Sequence, residues 1–162
     1  MSTSNSDEVR VLLGPSSISS EIEGAHLMRK NLLDTIDRAN ESLLIAGYML
    51  NSPEIAERIM LKCSRVEVII HLDKNQTFGD QRATSVYYDL VKAGAIIKLH
   101  DDTVEGSMHA KVIIADHSEA IVGSANLTYS GADRNLEMGV RIRGPTVKIL
   151  RNTVTLALGD LS

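Results

Sequence analysis

His109-Ala110-Lys111, Asp116, Gly123-Ser124-Ala125-Asn126 and Glu137 place a nucleophile, a cation and several polar side chains within one short, otherwise apolar stretch. Met108–Ala115 (MHAKVIIA) has the composition of a β-strand. Residues two apart on a strand project from one face, so His109 and Lys111 are predicted side by side. An imidazole beside an ammonium is costly in a core and well suited to a phosphate. The lysine would neutralise its charge beside an imidazole that is a candidate nucleophile. Phosphoryl chemistry is the first expectation.

These residues need elements to hold them. Glu119–Gly123 is a second strand, separated from the first by only Asp116-His117-Ser118. That link is too short for a crossover helix, so the two should form an antiparallel hairpin. Leu136–Ile142 is a further strand carrying Glu137, and Pro145 opens a C-terminal helix to about Leu158. Upstream, strands over Leu43–Leu50, Val66–Leu72 and Ala95–Leu99 alternate with helices from Ser52-Pro53 to about Lys62 and over Asp80–Val91. Gly94 suits the turn after the latter. A first helix is read from a Ser20–Glu23 capping box to Ala39, on the spacing of Ile22, Ala25, Leu32, Leu33 and Ile36. The class is α/β: a mixed, largely parallel sheet of about six to seven strands between helices, an α/β/α sandwich. Residues 1–8 are polar and aperiodic, an expected flexible N-terminus to a single domain over 9–162.

Composition narrows the partners. A hydrophobic fraction of 43% supports a real core. The net charge of -4 argues against a chain whose main role is to coat nucleic acid, and leaves room for an enzyme with a local basic cleft. Lys98, Lys111, Arg134, Arg141, Arg143 and Lys148 share the half that carries the motif. The lone Cys63 fits a reduced compartment. With no apolar run long enough to span a bilayer and no leader pattern, a cytoplasmic protein without membrane contact is expected. Gly-rich phosphate loops are absent, and His100, Asp101, Asp102 and His117 match no ligand spacing, so no cofactor and no metal are expected.

The full spacing, His109-x-Lys111-x4-Asp116-x6-Gly123-Ser124-x-Asn126 with Glu137 trailing, resembles the HKD signature of the phospholipase D superfamily. Residues 109–140 resemble that superfamily closely, and the remaining α/β pattern is compatible. A single copy of the motif points to the single-motif branch. That branch includes small bacterial metal-independent endonucleases, nuclease domains of some restriction enzymes and components of phage-defence systems.

The resemblance implies a phosphodiesterase, most specifically an endonuclease hydrolysing DNA or RNA through a phosphohistidine. The site would be shared by a homodimer, each subunit supplying one motif. His109 would be the nucleophile, and His109 of the second subunit the general acid and then base. Lys111, Asn126 and Ser124 would hold phosphate oxygens, while Glu137 would orient the His109 ring. Gly123 would let the backbone pass close to substrate, and Asp116 would serve catalysis or organise the hairpin.

Plainer roles stand beside these. Ser124 and Asn126 also suit a cap before Leu127, Glu137 a strand-edge ion pair, and His71 and His100 either the cleft or ordinary packing. Two other functions fit: a phospholipid or small-phosphodiester hydrolase, and a non-cleaving nucleic-acid-binding or assembly subunit of a defence complex. A free nuclease endangers its host, so a defence-system or inhibitory partner is expected. The acidic run Asp101-Asp102-Thr103-Val104-Glu105 is expected to shield the cleft.

Overall fold

Ser42–Gly47 (SLLIAG) is apolar almost throughout because it lies inside the sheet, with neighbours on both sides and layers on both faces. Around it a computed structural model describes residues 6–103 and 106–159. The elements are β1 (Glu8–Gly14), α1 (Ser16–Ser19), β2 (Ala25–Leu27), α2 (Met28–Arg38), β3 (Ser42–Gly47), α3 (Pro53–Lys62), β4 (Glu67–Asp73) and α4 (Lys74–Gly79). Then follow α5 (Gln81–Ala93), β5 (Ile96–His100), β6 (Lys111–Ala115), β7 (Glu119–Gly123), a π-helical turn (Ser130–Arg134), β8 (Glu137–Arg143) and α6 (Thr146–Ala157).

One sheet runs in the order β2-β1-β8-β7-β6-β3-β4-β5. One face packs the apolar sides of α2, α3 and α5 against Leu43, Ile45, Ile70, Ile113 and Ile121. On the other, Val147 and Val154 of α6 pack against Leu44, Ile114 and Ala120. The α/β sandwich is as expected, with two differences in its sheet. It has eight strands rather than six or seven, and antiparallel pairings (β1–β8, β3–β6, β6–β7, β7–β8) outnumber parallel ones (β1–β2, β3–β4, β4–β5). Consecutive hairpins β6–β7–β8 fill the centre, and β1 returns antiparallel beside them.

Helix limits follow local chemistry where a cap is present. The Ser52 hydroxyl accepts from the Ile55 amide with Pro53 in the first turn, and Asp80 accepts from Ala83 at 2.8 Å to start α5. Gly94, at φ 106°, ends α5. The Ser20–Glu23 capping box does not form. The chain instead turns there, makes β2 over Ala25–Leu27, and starts α2 only at Met28, so His26 lies on a strand. Of the expected flexible terminus, residues 1–5 lie outside the described set. Asp7 accepts from the Thr146 amide at the start of α6, and Glu8 opens β1 opposite Arg143. Among the described residues no helix is long and apolar enough to cross a membrane.

Candidate active site

The β3–β6 ladder ends at the pair Gly47–Lys111, which puts Lys111 at the rim of the sheet. His109 therefore stands just outside β6 rather than within it, exposed, with its ring 4.4 Å from that of Tyr48. The expected juxtaposition nevertheless forms. The Lys111 ammonium lies 3.1 and 3.4 Å from the two ring nitrogens of His109 and 3.0 Å from its carbonyl oxygen. Near-equal distances put the ammonium over the face of the ring. An in-plane bond to one nitrogen would leave the other beyond hydrogen-bond range. Both in-plane nitrogen positions thus stay open. Burial holds the Lys111 ammonium below the usual lysine range, partly offset by the nearby Glu137 carboxylate.

Ser124 follows β7 and Glu137 opens β8, so the sheet brings both to the same rim. The Ser124 hydroxyl donates to the Glu137 carboxylate and accepts from the Met138 amide at 3.1 Å. Glu137 is accordingly bonded to Ser124, not to His109, because Ser124 lies across from Met138, the next residue along β8. Asn126 sits in the following loop, whose neighbour Leu127 donates to the Met49 carbonyl at 3.1 Å. Its Oδ1 is buried and unpaired, so its side chain caps nothing and has an acceptor to spare. Gly123 answers to the sheet. A Cβ there would lie 2.6 Å from the Met138 carbonyl and 2.7 Å from Gly139 Cα. The close approach it allows is that of β8. Tyr48 was not legible as a site residue, since it lies inside the apolar run Leu43–Leu50, which reads wholly as strand.

Asp116 lies elsewhere, at the opposite end of β6 from Lys111. It holds φ 57°, a conformation that Asp tolerates better than most residues. Its carboxylate accepts from the amides of Asn40, Glu41 and Ser42 at 2.8–3.2 Å. Burial favours the neutral acid, but these amides and Arg151 hold the group below the usual Asp range. Its carboxylate thus ties the turn after β6 to the chain entering β3. Asp116→Ala should lower unfolding free energy by about 2 kcal/mol, measured by urea titration, with turnover per folded molecule kept.

His71 does not line the cleft. It is fully buried on β4, with Nδ1 2.9 Å from Nε2 of His100 on β5. Burial, then His100 and Lys98, push it down to about 4. The unfolded state therefore binds the proton first as pH falls below the ordinary histidine value. Stability should drop between about pH 6.5 and 4 by on the order of 2–3 kcal/mol. Thermal melts across that range should show this fall in wild type and a flatter line in His71→Gln. Of the acidic run, Asp101 pairs with Lys74 at 2.9 Å and Asp102 accepts from Asn75 at 2.8 Å. Both are thus engaged by α4, while Val104 and Glu105 lie outside the described residues.

Comparison with known proteins gives the family and the fold. Residues 32–154 match the family described as cardiolipin synthase, PLD-like domain. DISARM protein DrmC of Bacillus paralicheniformis is 31% identical over 124 residues, 75% of this chain and 52% of that protein. A phospholipase D of Rickettsia prowazekii is 33% identical over 109 residues, 67% of this chain and 51% of that protein. The chain thus spans about half the length of the curated relatives it matches. Among solved structures, Nuc from Salmonella typhimurium, a phospholipase D family member, superposes with a TM-score of 0.75 at 25% identity, covering 96% of this chain and 93% of that one. NucT from Helicobacter pylori gives 0.75 at 20% identity, over 94% and 96%. With a family match over most of its length and the HKD spacing intact, this chain belongs to the phospholipase D superfamily.

Proposed function

We infer that this protein is a metal-independent nuclease, hydrolysing phosphodiester bonds of DNA or RNA through a phosphohistidine at a site completed by a second copy of the chain. The observation that carries this reading is the ammonium of Lys111 laid over the His109 ring, with both ring nitrogens free in plane. A His109 nitrogen attacks phosphorus, and the N–P bond forms as the bond to the leaving oxygen breaks. That oxygen takes a proton from His109 of the second subunit. The same histidine then removes a proton from water, which attacks phosphorus and breaks the N–P bond. Lys111 and the Asn126 amide hold the non-bridging oxygens, so paired lysines supply the charge that divalent cations supply in two-metal enzymes. Ser124, bonded to Glu137, keeps that carboxylate beside Lys111 and the ammonium charged.

Two observations support the second copy. The described site offers one histidine, and the leaving oxygen needs a second proton donor. In addition, Val9, Val11 and Met138 on the sheet face packed by α6 are each more than half exposed (56%, 54% and 61%), as are Ile149 and Leu156 on α6. Exposed apolar surface of this kind, running along one face of the sheet as far as Met138 beside Glu137, suits an isologous partner. Its likeness to DrmC, a DISARM protein, supports a place in a defence assembly.

The likeness to a phospholipase D keeps a lipid substrate as the second reading. Incubation with single- and double-stranded DNA, RNA and phosphatidylcholine vesicles, each in excess EDTA at low salt, separates the two. Nucleic-acid cleavage without lipid turnover is expected. Lipid turnover alone would select the second reading, and nucleic-acid binding without turnover would make this an assembly subunit.

A further inference from the structure

The segments after β3 and β7 lie side by side at the rim where Lys111 emerges. Leu127 donates to the Met49 carbonyl at 3.1 Å, and its own carbonyl accepts from Asn51 and Ser52 at 3.2 Å each. Asn51 in turn reaches Asp80 at 3.4 Å, the cap of α5, and so draws Arg82 in the first turn of that helix towards Asn126. From the other side the π-helical turn folds back over the same loop. Gly131 makes that possible, since a Cβ there would lie 2.4 Å from the Asn126 carbonyl. The turn holds Arg134 with its guanidinium 6.0 Å from the centre of the Tyr129 ring. Between these walls is a cleft of about 370 Å³, lined by Arg82, Arg134, Tyr129, Asn126, Asn51 and Ser130 among others.

Its chemistry is specific. Neither arginine forms an ion pair among the described residues, although the chain carries a net charge of -4. Tyr129 is 56% exposed in a chain with only five aromatic residues. Two guanidiniums without an ion pair call for phosphate, and the exposed Tyr129 ring in the same cleft offers a stacking surface. Most of the residues that line it carry a polar group.

We propose that this cleft is a subsite for a single-stranded nucleic acid, binding the nucleotide next to the scissile phosphodiester. Its base stacks on Tyr129, its phosphate is held by Arg82 and Arg134, and Asn126 links the subsite to the reacting phosphate. The assignment rests on the nuclease reading and deepens it. A duplex keeps its bases stacked within itself, so the ring favours unpaired strands.

Binding of a short fluorescein-labelled oligothymidylate at low salt, followed by anisotropy, tests this on the His109→Ala protein, which cannot consume the probe. Adding Arg82→Ala and Arg134→Ala together should weaken binding about 30-fold and reduce the slope of log Kd against log salt by about one. Adding Tyr129→Ala should weaken it about 10-fold, and Tyr129→Phe should restore it. Arg65→Ala with Lys92→Ala, in the turn after α3 and the last turn of α5, removes the same charge and should change binding by less than about 2-fold. Equal losses for the two double variants would overturn the subsite, as would no binding by the His109→Ala protein itself.

Hydrolysis of bis(4-nitrophenyl) phosphate by the wild-type chain keeps the two conclusions apart. That small diester needs the reacting centre and little else. Its hydrolysis without oligonucleotide binding leaves a phosphodiesterase and removes the subsite. Oligonucleotide binding that depends on Arg82, Arg134 and Tyr129 without any diester hydrolysis keeps the subsite and removes the nuclease.

Discussion

His109→Ala should lose on the order of 10⁴-fold or more in phosphodiester cleavage while melting close to wild type. The side chain is exposed and stands outside the ladder, so its removal empties no core space. The loss is large because one residue is asked to do two jobs, nucleophile in one subunit and acid–base in the other. Mixing supplies the sharper test. If both histidines of a dimer must be present, activity at fixed total protein should fall as the square of the wild-type fraction once subunits exchange with His109→Ala chains. A linear fall would mean that each chain works alone, and would remove the shared site while leaving the nucleophile in place. Lys111→Met should cost about 10²–10³-fold. Because burial lowers the Lys111 value, wild-type activity should decline on the alkaline side earlier than an ordinary lysine would dictate. The proton is lost as pH rises, and with it the positive charge over the ring.

Glu119→Ala should destabilise the fold by about 3–5 kcal/mol. Glu119 opens β7 at the end of the sheet away from the site and is 4% exposed. It accepts from the Thr35 hydroxyl, from Arg38 Nε at 3.0 Å and Nη2 at 2.6 Å, and from Arg143 Nε at 2.9 Å. Burial alone would raise this carboxyl, but the bonds from Arg38, Thr35 and Arg143 hold it at about 2. Its removal leaves the Arg38 and Arg143 guanidiniums, each partly exposed, without their shared acceptor, and their repulsion adds to the lost bonds. The folded value lies below the unfolded one, so this contribution is fully present above about pH 4.5. It is lost as pH falls towards 2. Urea titration at pH 7 and pH 3 should therefore give a large difference between wild type and Glu119→Gln at the first and a smaller one at the second. Equal differences at both would mean that the pair of arginines is not what Glu119 serves.

Local chemistry was legible wherever a side chain acts on its own neighbourhood. Pro53 behind Ser52, Asp80 before an amphipathic stretch and Gly94 after it mark helix ends through bonds spanning a few residues, and α3 and α5 lie where those marks put them. The Ser20–Glu23 box carries the same kind of mark, yet pairing of Ala25–Leu27 with Val11–Leu13 outweighs it. That pairing is nonlocal. Neither strand shows a clean alternation, since Val9 and Val11 share solvent with Glu8 and Arg10. The motif itself was readable because its residues fall within one hairpin and the start of the next strand. Tyr48 and Tyr129 come from two separate loops and Arg82 from the first turn of α5, and only the fold brings them to one rim.

The Asp116 tether has a consequence for the letters between it and Lys111. β3 and β6 run antiparallel, and Asp116 clasps the amides of Asn40–Ser42 at the point where β3 begins. The clasp sets an origin from which β6 is counted, and Lys111 is the fifth residue back, facing Gly47 at the other end of the same strand. Because side chains alternate faces, parity along that interval decides on which side of the sheet the ammonium emerges. Val112, Ile113, Ile114 and Ala115 are thus a ruler as much as a core segment. Exchange among small and branched apolar residues there alters packing by degrees. Insertion or loss of a single one, with the origin still clasped, would turn the lysine to the wrong face and leave the histidine without its cation.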